Sequence, residues 1–200
     1  METAPTTVPA PHAEFGHPAG SDLWVFAYGS LMWNPGFVHL ERQGALLRGW
    51  HRSFCVLSWR HRGTPERPGA VLGLDRGGSC RGIVYRVAAD RVEETLAYLW
   101  EREMVNRVYR PRRLAVRTEG GGSAPALVFT VDRAHPQYCG RLGPEGLETL
   151  VRQGVGQSGR SADYLLSLVA HLRDLGIRDT GLEALAARIG GPSPDWGPPD

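Results

Sequence analysis

The 200-residue sequence predicts an α+β protein with mostly antiparallel strands, which could form either an open sheet or a barrel. Segments rich in β-branched and aromatic residues fill the region 23–87, where clusters of Gly and Pro separate them. A helical segment follows at 89–103, then two more strand-like segments, and the region after residue 135 is helical. Strands and helices do not alternate regularly, so a doubly wound parallel sheet is not expected.

The elements follow from local composition. The predicted strands are LWVFAYG, ALLRGWHRSFCVLSW, AVLGL, CRGIVYRV, YRPRRLAVRT and ALVFTV, and the predicted helices are ADRVEETLAYLWERE, PEGLETLVRQG, SADYLLSLVAHLRDLG and GLEALAARIG. Asp90 is the predicted N-cap of the first helix, with Glu93 completing a capping box, and Ser161 is the predicted N-cap of the third.

The two ends of the chain differ from its middle. Residues 1–21 are rich in Pro, Ala and Thr, which predicts a disordered N-terminal extension. The last residues, 190–200, read GGPSPDWGPPD and predict a flexible tail. We therefore expect one domain over residues 22–189.

Composition excludes several classes of function. The formal net charge is only +2, so neither a nucleic acid nor a membrane surface is an expected partner. All 23 basic residues are Arg, which rules out Schiff-base chemistry on a lysine. No GxGxxG or GxxxxGK[ST] motif marks a nucleotide site, and the three Cys and seven His lack metal-ligand spacing. The chain shows no signal peptide or membrane-spanning run, so we expect a cytoplasmic location.

Glu103 interrupts an apolar helix face. Val92, Leu96 and Leu99 form the face of the first helix, and Glu103 is the next position on it. One interpretation is that the helix has ended and Glu103 is solvated. The other is a partly buried carboxylate near a helix C-terminus, whose raised pKa would make it a base near neutral pH. The apolar character of MVNRVY, which follows, favours burial.

A short polar turn, Tyr28-Gly29-Ser30, interrupts the first strand and also has two interpretations. Gly29 would let the backbone approach a ligand, and the N–H groups of Gly29, Ser30 and Leu31 could then bind one anionic oxygen. Alternatively, the turn is a β-bulge at a barrel corner. Tyr164, near an apolar helix stripe, could reach a polar site with its hydroxyl group.

Five blocks of the sequence resemble the ChaC-like γ-glutamylcyclotransferases, which cleave glutathione to 5-oxoproline and cysteinylglycine. The blocks, in order, are WVFAYGSLMWNPGF, HRGTPERPGAVLGL, AYLWEREMVNRVYRPRRL, HPQYCG and GQSGRSADYLL. The resemblance spans roughly Leu23 to Leu185, and the pairing of YGSL with a YLxxRE helix end is its most specific part. It implies a small β-barrel flanked by helices, a small-molecule γ-glutamyl substrate, and neither cofactor nor metal.

The resemblance also assigns residues. It implies that Glu103 is the catalytic acid and base, and that the γ-glutamyl group is held by the following residues: Tyr28, Gly29, Ser30, Leu31 and Tyr164. Glu94 matches a second position that is sometimes acidic. The chain departs from the family pattern at Ser161, where Asn is usual, and at Asp163.

The sequence leaves the roles of two arginines undecided, and it is compatible with several alternative functions. By charge alone, Arg62 and Arg160 are candidate partners for substrate carboxylates, although solvated surface arginines are the simpler interpretation. The substrate could be another γ-glutamyl peptide, amino acid or amine. The chain could also be a non-catalytic module that binds a γ-glutamyl metabolite, or a structural interaction domain. A monomer and a dimer are equally compatible with the sequence.

Overall fold

The computed structural model describes residues 15–140 and 142–190, and a closed five-stranded barrel forms its centre. The strands are β1 (Leu23–Ala27), β2 (Glu41–Ser58), β3 (Gly69–Val87), β4 (Tyr109–Thr118) and β5 (Ser123–Val131). Their order around the barrel is β1-β3-β2-β4-β5, and every neighbouring pair is antiparallel except β1 and β5, which close the barrel in parallel. The predicted fold class is confirmed.

Helices surround the barrel in the predicted order. They are α1 (Val92–Glu103), α2 (Pro144–Gln153), α3 (Ser161–Asp174) and α4 (Thr180–Ile189). Two 3-10 turns, Ser30–Met32 and Ala89–Arg91, and a small hairpin of β6 (Val155–Gly156) with β7 (Gly159–Arg160) complete the described elements. None of the helices in the described ranges is both long enough and apolar enough to cross a membrane.

One predicted strand boundary is wrong. The segments AVLGL and CRGIVYRV were expected to be separate strands, but they are parts of one continuous β3. The pairing of β3 with β2 runs from Glu41↔Arg86 to Ser58↔Gly69, so the DRGGS segment stays within the ladder instead of separating two strands. The register shifts there, between Arg48↔Ser79 and Trp50↔Arg76, and Gly77 and Gly78, both with positive φ, form the irregularity.

Both predicted N-caps are also wrong. Asp90 lies inside the 3-10 turn before α1, and the side chain of Asp22 instead accepts a hydrogen bond from the Ala89 N–H at 3.0 Å. Ser161 is the first residue of α3, and its hydroxyl is fully buried against β3, where it accepts from the Ala70 N–H at 3.2 Å and donates to the Ala70 carbonyl. In both places a tertiary contact replaces the predicted local one, since Asp22 satisfies a backbone N–H ahead of α1 and Ala70 binds the Ser161 hydroxyl.

Ordered packing begins before the predicted domain start at residue 22. Phe15 is only 4% exposed, and its ring lies edge-on to Trp100 of α1 and Phe129 of β5, at centroid distances of 5.7 and 6.0 Å. The rest of the predicted N-terminal extension, 1–14, and the predicted tail from 191 onward lie outside the described residues.

Candidate active site

The Tyr28-Gly29-Ser30 segment leaves β1 in a tight turn that exposes backbone donors. After Ala27 the chain enters the 3-10 turn Ser30–Met32, in which the Met32 N–H donates to the Gly29 carbonyl at 2.9 Å. The N–H groups of Gly29, Ser30 and Leu31 donate to no acceptor within the described part of the chain. Consecutive N–H groups at the start of a helical turn are available to an anionic oxygen.

Arg102 holds this turn from the side of α1. Its guanidinium donates to the Ser30 hydroxyl at 2.8 Å and to the Asn34 carbonyl at 3.1 Å, and it also donates to the Tyr98 hydroxyl. The last turn of α1 is therefore tied to the end of β1, although the two segments lie far apart in sequence. The charge of Arg102 also lies next to Glu103, with Nε 3.4 Å from Oε1.

Two further groups hold the turn from the barrel. The Tyr85 hydroxyl donates to the Met32 carbonyl at 2.7 Å, and the Arg52 Nε donates to the Tyr28 carbonyl at 2.6 Å. The turn is thus fixed at its beginning, middle and end by side chains from three different elements, as preorganised donors require.

Glu103 faces inward rather than toward solvent. It is the last residue of α1, it continues the buried face of Leu96 and Leu99, and its side chain is only 18% exposed. Burial raises the pKa of the Glu103 carboxyl above its usual value, and the neighbouring Arg102 charge opposes part of that rise. A carboxylate whose pKa is raised in this way suits proton transfer near neutral pH.

A single cavity, here called the inner cavity, joins Glu103 to the turn. The residues around it are Tyr28, Gly29, Ser30, Leu31, Leu72, Glu103, Tyr109, Phe129 and Tyr164. It contains a carboxylate, three tyrosines, backbone donors and apolar walls. A polar end enclosed by aromatic and aliphatic side chains is typical of a small-molecule site.

A second depression, here called the outer groove, is continuous with the inner cavity. The two share Ser30, Glu103, Tyr109 and Tyr164, and the groove extends along a rim that includes Ser58, His61, Arg62, Val105, Asn106 and Ser158. The wall of the groove is mixed, since β2 and β3 supply Val56, Leu57, Ser58 and Val71, and loops supply His61, Arg62, Val105, Asn106, Val108 and Ser158. A ligand could therefore place one end in the inner cavity and the other in the outer groove.

The structure brings together six of the predicted site residues and separates two from them. Glu103, Tyr164 and the four residues of the turn all line the inner cavity, and Arg62 lies in the outer groove with its guanidinium carbon 5.3 Å from the centre of the Tyr164 ring. Glu94 is 76% exposed and pairs with Arg91 at 3.2 Å on the surface of α1. Arg160 is exposed and lines neither space.

Sequence reasoning missed several residues of the site. Tyr109 lines the inner cavity and donates to the Leu72 carbonyl at 2.7 Å, and Leu72 and Phe129 form apolar walls. Burial raises the pKa of Tyr28 and Tyr109 well above the usual value, and that of Tyr164 to about 12, so all three phenols stay neutral. The apolar run before Tyr109 was a usable signal, whereas Leu72 and Phe129 have the sequence pattern of ordinary core residues.

Comparison with known proteins is consistent with this geometry. A family model described as ChaC-like protein matches residues 23–191. The glutathione-specific gamma-glutamylcyclotransferase of Escherichia coli (strain K12) is 37% identical over 172 residues, which cover 86% of this chain and 74% of the relative. The human glutathione-specific gamma-glutamylcyclotransferase 1 is 32% identical over 197 residues, which cover 94% of this chain and 89% of the relative.

Solved structures share the fold. A crystal structure of the yeast γ-glutamyl cyclotransferase specific to glutathione matches with a TM-score of 0.77 at 22% identity, covering 84% of this chain and 96% of that one. A structure titled gamma-glutamyl cyclotransferase matches with a TM-score of 0.51 at 15% identity, covering 88% of this chain and 92% of that one. The resemblance drawn from the five sequence blocks is confirmed, and the chain belongs to the ChaC-like family.

Proposed function

We propose that this protein is a γ-glutamylcyclotransferase that acts on glutathione and releases 5-oxoproline and cysteinylglycine. The observation that carries the proposal is a buried carboxylate, Glu103, that shares one cavity with the backbone donors of the Tyr28–Leu31 turn. Membership of a family whose relatives carry the glutathione-specific activity in their names supports the choice of substrate.

The two joined spaces suggest how the substrate lies. The γ-glutamyl group occupies the inner cavity, which is small and lined by fixed elements, and the cysteinylglycine part extends along the outer groove. The scissile amide then lies near Glu103, one of the residues common to both spaces. Arg62, on the groove rim, is a candidate partner for a carboxylate of the substrate.

The chemistry is an intramolecular aminolysis. The α-amine of the γ-glutamyl group is mostly an ammonium at neutral pH, so it must lose a proton before it can attack. Glu103 takes that proton, and the amine nitrogen forms a bond to the γ-carbon to give a five-membered tetrahedral intermediate. Glu103 gives this proton to the cysteine nitrogen as the bond from the γ-carbon to that nitrogen breaks. Glu103, again a carboxylate, then takes the second proton from the ring nitrogen and passes it to the released amine, so that two protons in all move from the attacking nitrogen to the leaving one. All atoms are accounted for without added water or a cofactor.

We assign the stabilisation of the developing negative charge to the backbone donors of the Tyr28–Leu31 turn. The γ-carbonyl oxygen becomes negative in the intermediate, and preorganised N–H donors stabilise such an oxyanion by about 3 kcal/mol each. The neutral phenol of Tyr28 is a further donor in the same cavity. Because Arg102 bonds to Ser30 and also lies beside Glu103, it keeps the donors and the base at a constant separation.

The experiment that tests this function is product analysis. The purified protein is incubated with glutathione, and 5-oxoproline and cysteinylglycine are measured by mass spectrometry, with free glutamate measured in parallel and Glu103→Gln as the inactive control. We expect equal amounts of 5-oxoproline and cysteinylglycine. Free glutamate in place of 5-oxoproline would indicate a hydrolase, and the absence of all three products would reject the activity on glutathione.

A second candidate is the same reaction on another γ-glutamyl compound. The inner cavity recognises only the shared γ-glutamyl end, while the groove that meets the remainder is larger and is formed partly by loops. A panel of γ-glutamyl peptides, amino acids and amines would rank the substrates by kcat/KM. Affinity for these compounds without turnover would instead favour the binding-module alternative. The cytoplasmic location and the oligomeric state stay predictions.

A further inference from the structure

One charged side chain is buried among the described residues at a position where an apolar side chain would need less desolvation free energy. The side chain of Arg52, on β2, is only 2% exposed, and its NH1 nitrogen is 3.7 Å from Oδ2 of Asp179. Removing a guanidinium from water is costly unless its donors are used and its charge is paired. The contacts of Arg52 therefore indicate which role compensates for the cost of burying its charge.

Those contacts converge on the turn at the inner cavity. Arg52 donates through Nε to the Tyr28 carbonyl at 2.6 Å and through NH2 to the Arg81 carbonyl, and the same NH2 lies 3.5 Å from Sδ of Met32. Tyr28 and Met32 stand on either side of the three free backbone donors. The Arg52 guanidinium therefore contacts the residue before these donors and the residue after them.

The hydrogen bond to the Tyr28 carbonyl sets the direction of the next N–H. The described residues contain no cis peptide bond, and in a planar trans peptide the C=O and the N–H point in opposite directions. The Gly29 N–H therefore points away from Arg52, and it has no acceptor among the described residues. A cationic donor on the carbonyl also polarises the peptide, which makes the N–H a stronger donor.

Asp179 fixes Arg52 from the other side. It is the N-cap of α4, where its Oδ1 accepts from the Leu182 N–H at 3.2 Å while its Oδ2 faces Arg52. The hydrogen bond from the Leu182 N–H therefore holds the Asp179 side chain at the start of α4 with its second oxygen toward the guanidinium. A continuous set of contacts runs from α4 through Arg52 to the Tyr28–Gly29 peptide.

We propose that Arg52, held by Asp179, is a positioning residue that aims the Gly29 N–H at the γ-carbonyl oxygen of the substrate. The inference rests on the proposed cyclotransferase function. Glu103 must lie beside the γ-carbon, since it exchanges protons with both nitrogens bound to that carbon. Donors that share the small inner cavity with Glu103 are then next to the γ-carbonyl oxygen, on which negative charge develops.

The test is steady-state kinetics with glutathione on Arg52→Gln, Arg52→Lys and Asp179→Asn. We expect Arg52→Gln to lower kcat about a hundredfold with KM nearly unchanged, because a misaligned donor acts on the transition state more than on the bound substrate. Arg52→Lys keeps the charge but loses the Nε geometry and should recover part of kcat. Asp179→Asn retains a good helix cap and should lower kcat about fivefold.

The matched control is Arg86→Gln. Arg86 is also a barrel arginine paired with carboxylates, Asp22 and Glu41, but it lies outside both cavities, so its kcat should equal that of the wild type. Thermal unfolding of every variant, with assays run well below each Tm, separates positioning from loss of fold.

Several results would overturn the positioning role. They are a folded Arg52→Gln variant with wild-type kcat, a rise in KM with kcat unchanged, or, if Arg52→Gln does not fold, wild-type kcat in both Arg52→Lys and Asp179→Asn. Failure of the proposed function is a separate result, since the wild-type protein itself would then produce no 5-oxoproline from glutathione.

Discussion

The inner cavity and the outer groove are adjacent, but they are built differently. The inner cavity is formed by barrel strands, the end of α1 and a turn held by Arg102, Tyr85 and Arg52. The outer groove is larger, loop residues such as Arg62 and Ser158 line it beside residues of β2 and β3, and exposed side chains such as Val105 border it. The inner cavity has groups suited to proton transfer, whereas the groove provides a larger space and the positive charge of Arg62.

This difference separates two kinds of function. A fixed, buried site can shift a carboxyl pKa and preorganise donors, which acts on kcat. A larger groove lined partly by loop residues contributes to holding the variable part of a substrate, which acts on KM and on the choice among γ-glutamyl compounds. Substitutions in the two regions should therefore affect different kinetic constants.

The largest expected effect is at Glu103. Glu103→Gln keeps the shape of the side chain and removes the base, so kcat for 5-oxoproline formation should fall by about a hundred- to ten-thousandfold. The matched control is Glu101→Gln, since Glu101 lies two positions earlier on the same helix but is exposed. Near wild-type turnover in Glu103→Gln would show that another group transfers the proton.

Arg62→Gln, in the outer groove, should change KM rather than kcat. We expect KM for glutathione to rise roughly tenfold with kcat little changed, because a charge-assisted contact contributes about 1.5–3 kcal/mol and the groove is open to water. Arg160→Gln, on an exposed arginine that lines neither space, is the control. A fall in kcat alone would place Arg62 with the inner cavity and contradict the division between the two regions.

The charge of Arg102 should be visible in the pH profile. Burial raises the pKa of Glu103 and Arg102 lowers it, so removing that charge in Arg102→Gln should raise the pKa further. The acidic limb of kcat/KM would then move to higher pH. Rate profiles of the two proteins across the acidic and neutral range measure this shift, and an unchanged limb would mean that Glu103 does not control it.

Burial of Glu103 should also cost stability. A folded-state pKa above the unfolded value means that the folded protein binds more protons between the two values, so stability falls as pH rises through that window. Glu103→Gln should therefore raise Tm at neutral pH, and the gain should disappear below the pKa of an unfolded glutamate. Thermal unfolding at several pH values tests this, and Glu101→Gln should show no such pH-dependent gain.

The smallest expected effect is at Gly29. From the sequence, Gly29 could let the backbone approach a ligand, and in the structure a methyl group there would meet Cδ2 of Leu72 at 3.1 Å. Leu72 is a side chain on the cavity wall and can move slightly, so we expect Gly29→Ala to lower stability by about 1 kcal/mol and kcat/KM by less than tenfold. A loss as large as that of Glu103→Gln would show that the turn cannot tolerate any movement of that wall.

The fold class and much of the site followed from local patterns. Alternating apolar residues predicted the strands, and the helical spacing of Val92, Leu96 and Leu99 predicted which face of α1 is buried. The same spacing placed Glu103 on that face, and Gly29 marked the turn. These features are periodic or local, so they can be recognised without knowing what packs against them.

Contacts between distant segments decided the rest. Helical spacing placed Glu103 on the apolar face of α1 but left open whether its side chain is solvated, and the inward position of Glu103 and the surface position of Glu94 follow from how α1 lies against the barrel. Tyr109, Leu72 and Phe129 became cavity walls because barrel closure brings β3, β4 and β5 to one place. The contacts of Arg52 with the Tyr28 carbonyl and with Asp179 form only in the folded protein. Long-range packing, and not local sequence preference, determines the neighbours of a buried charge.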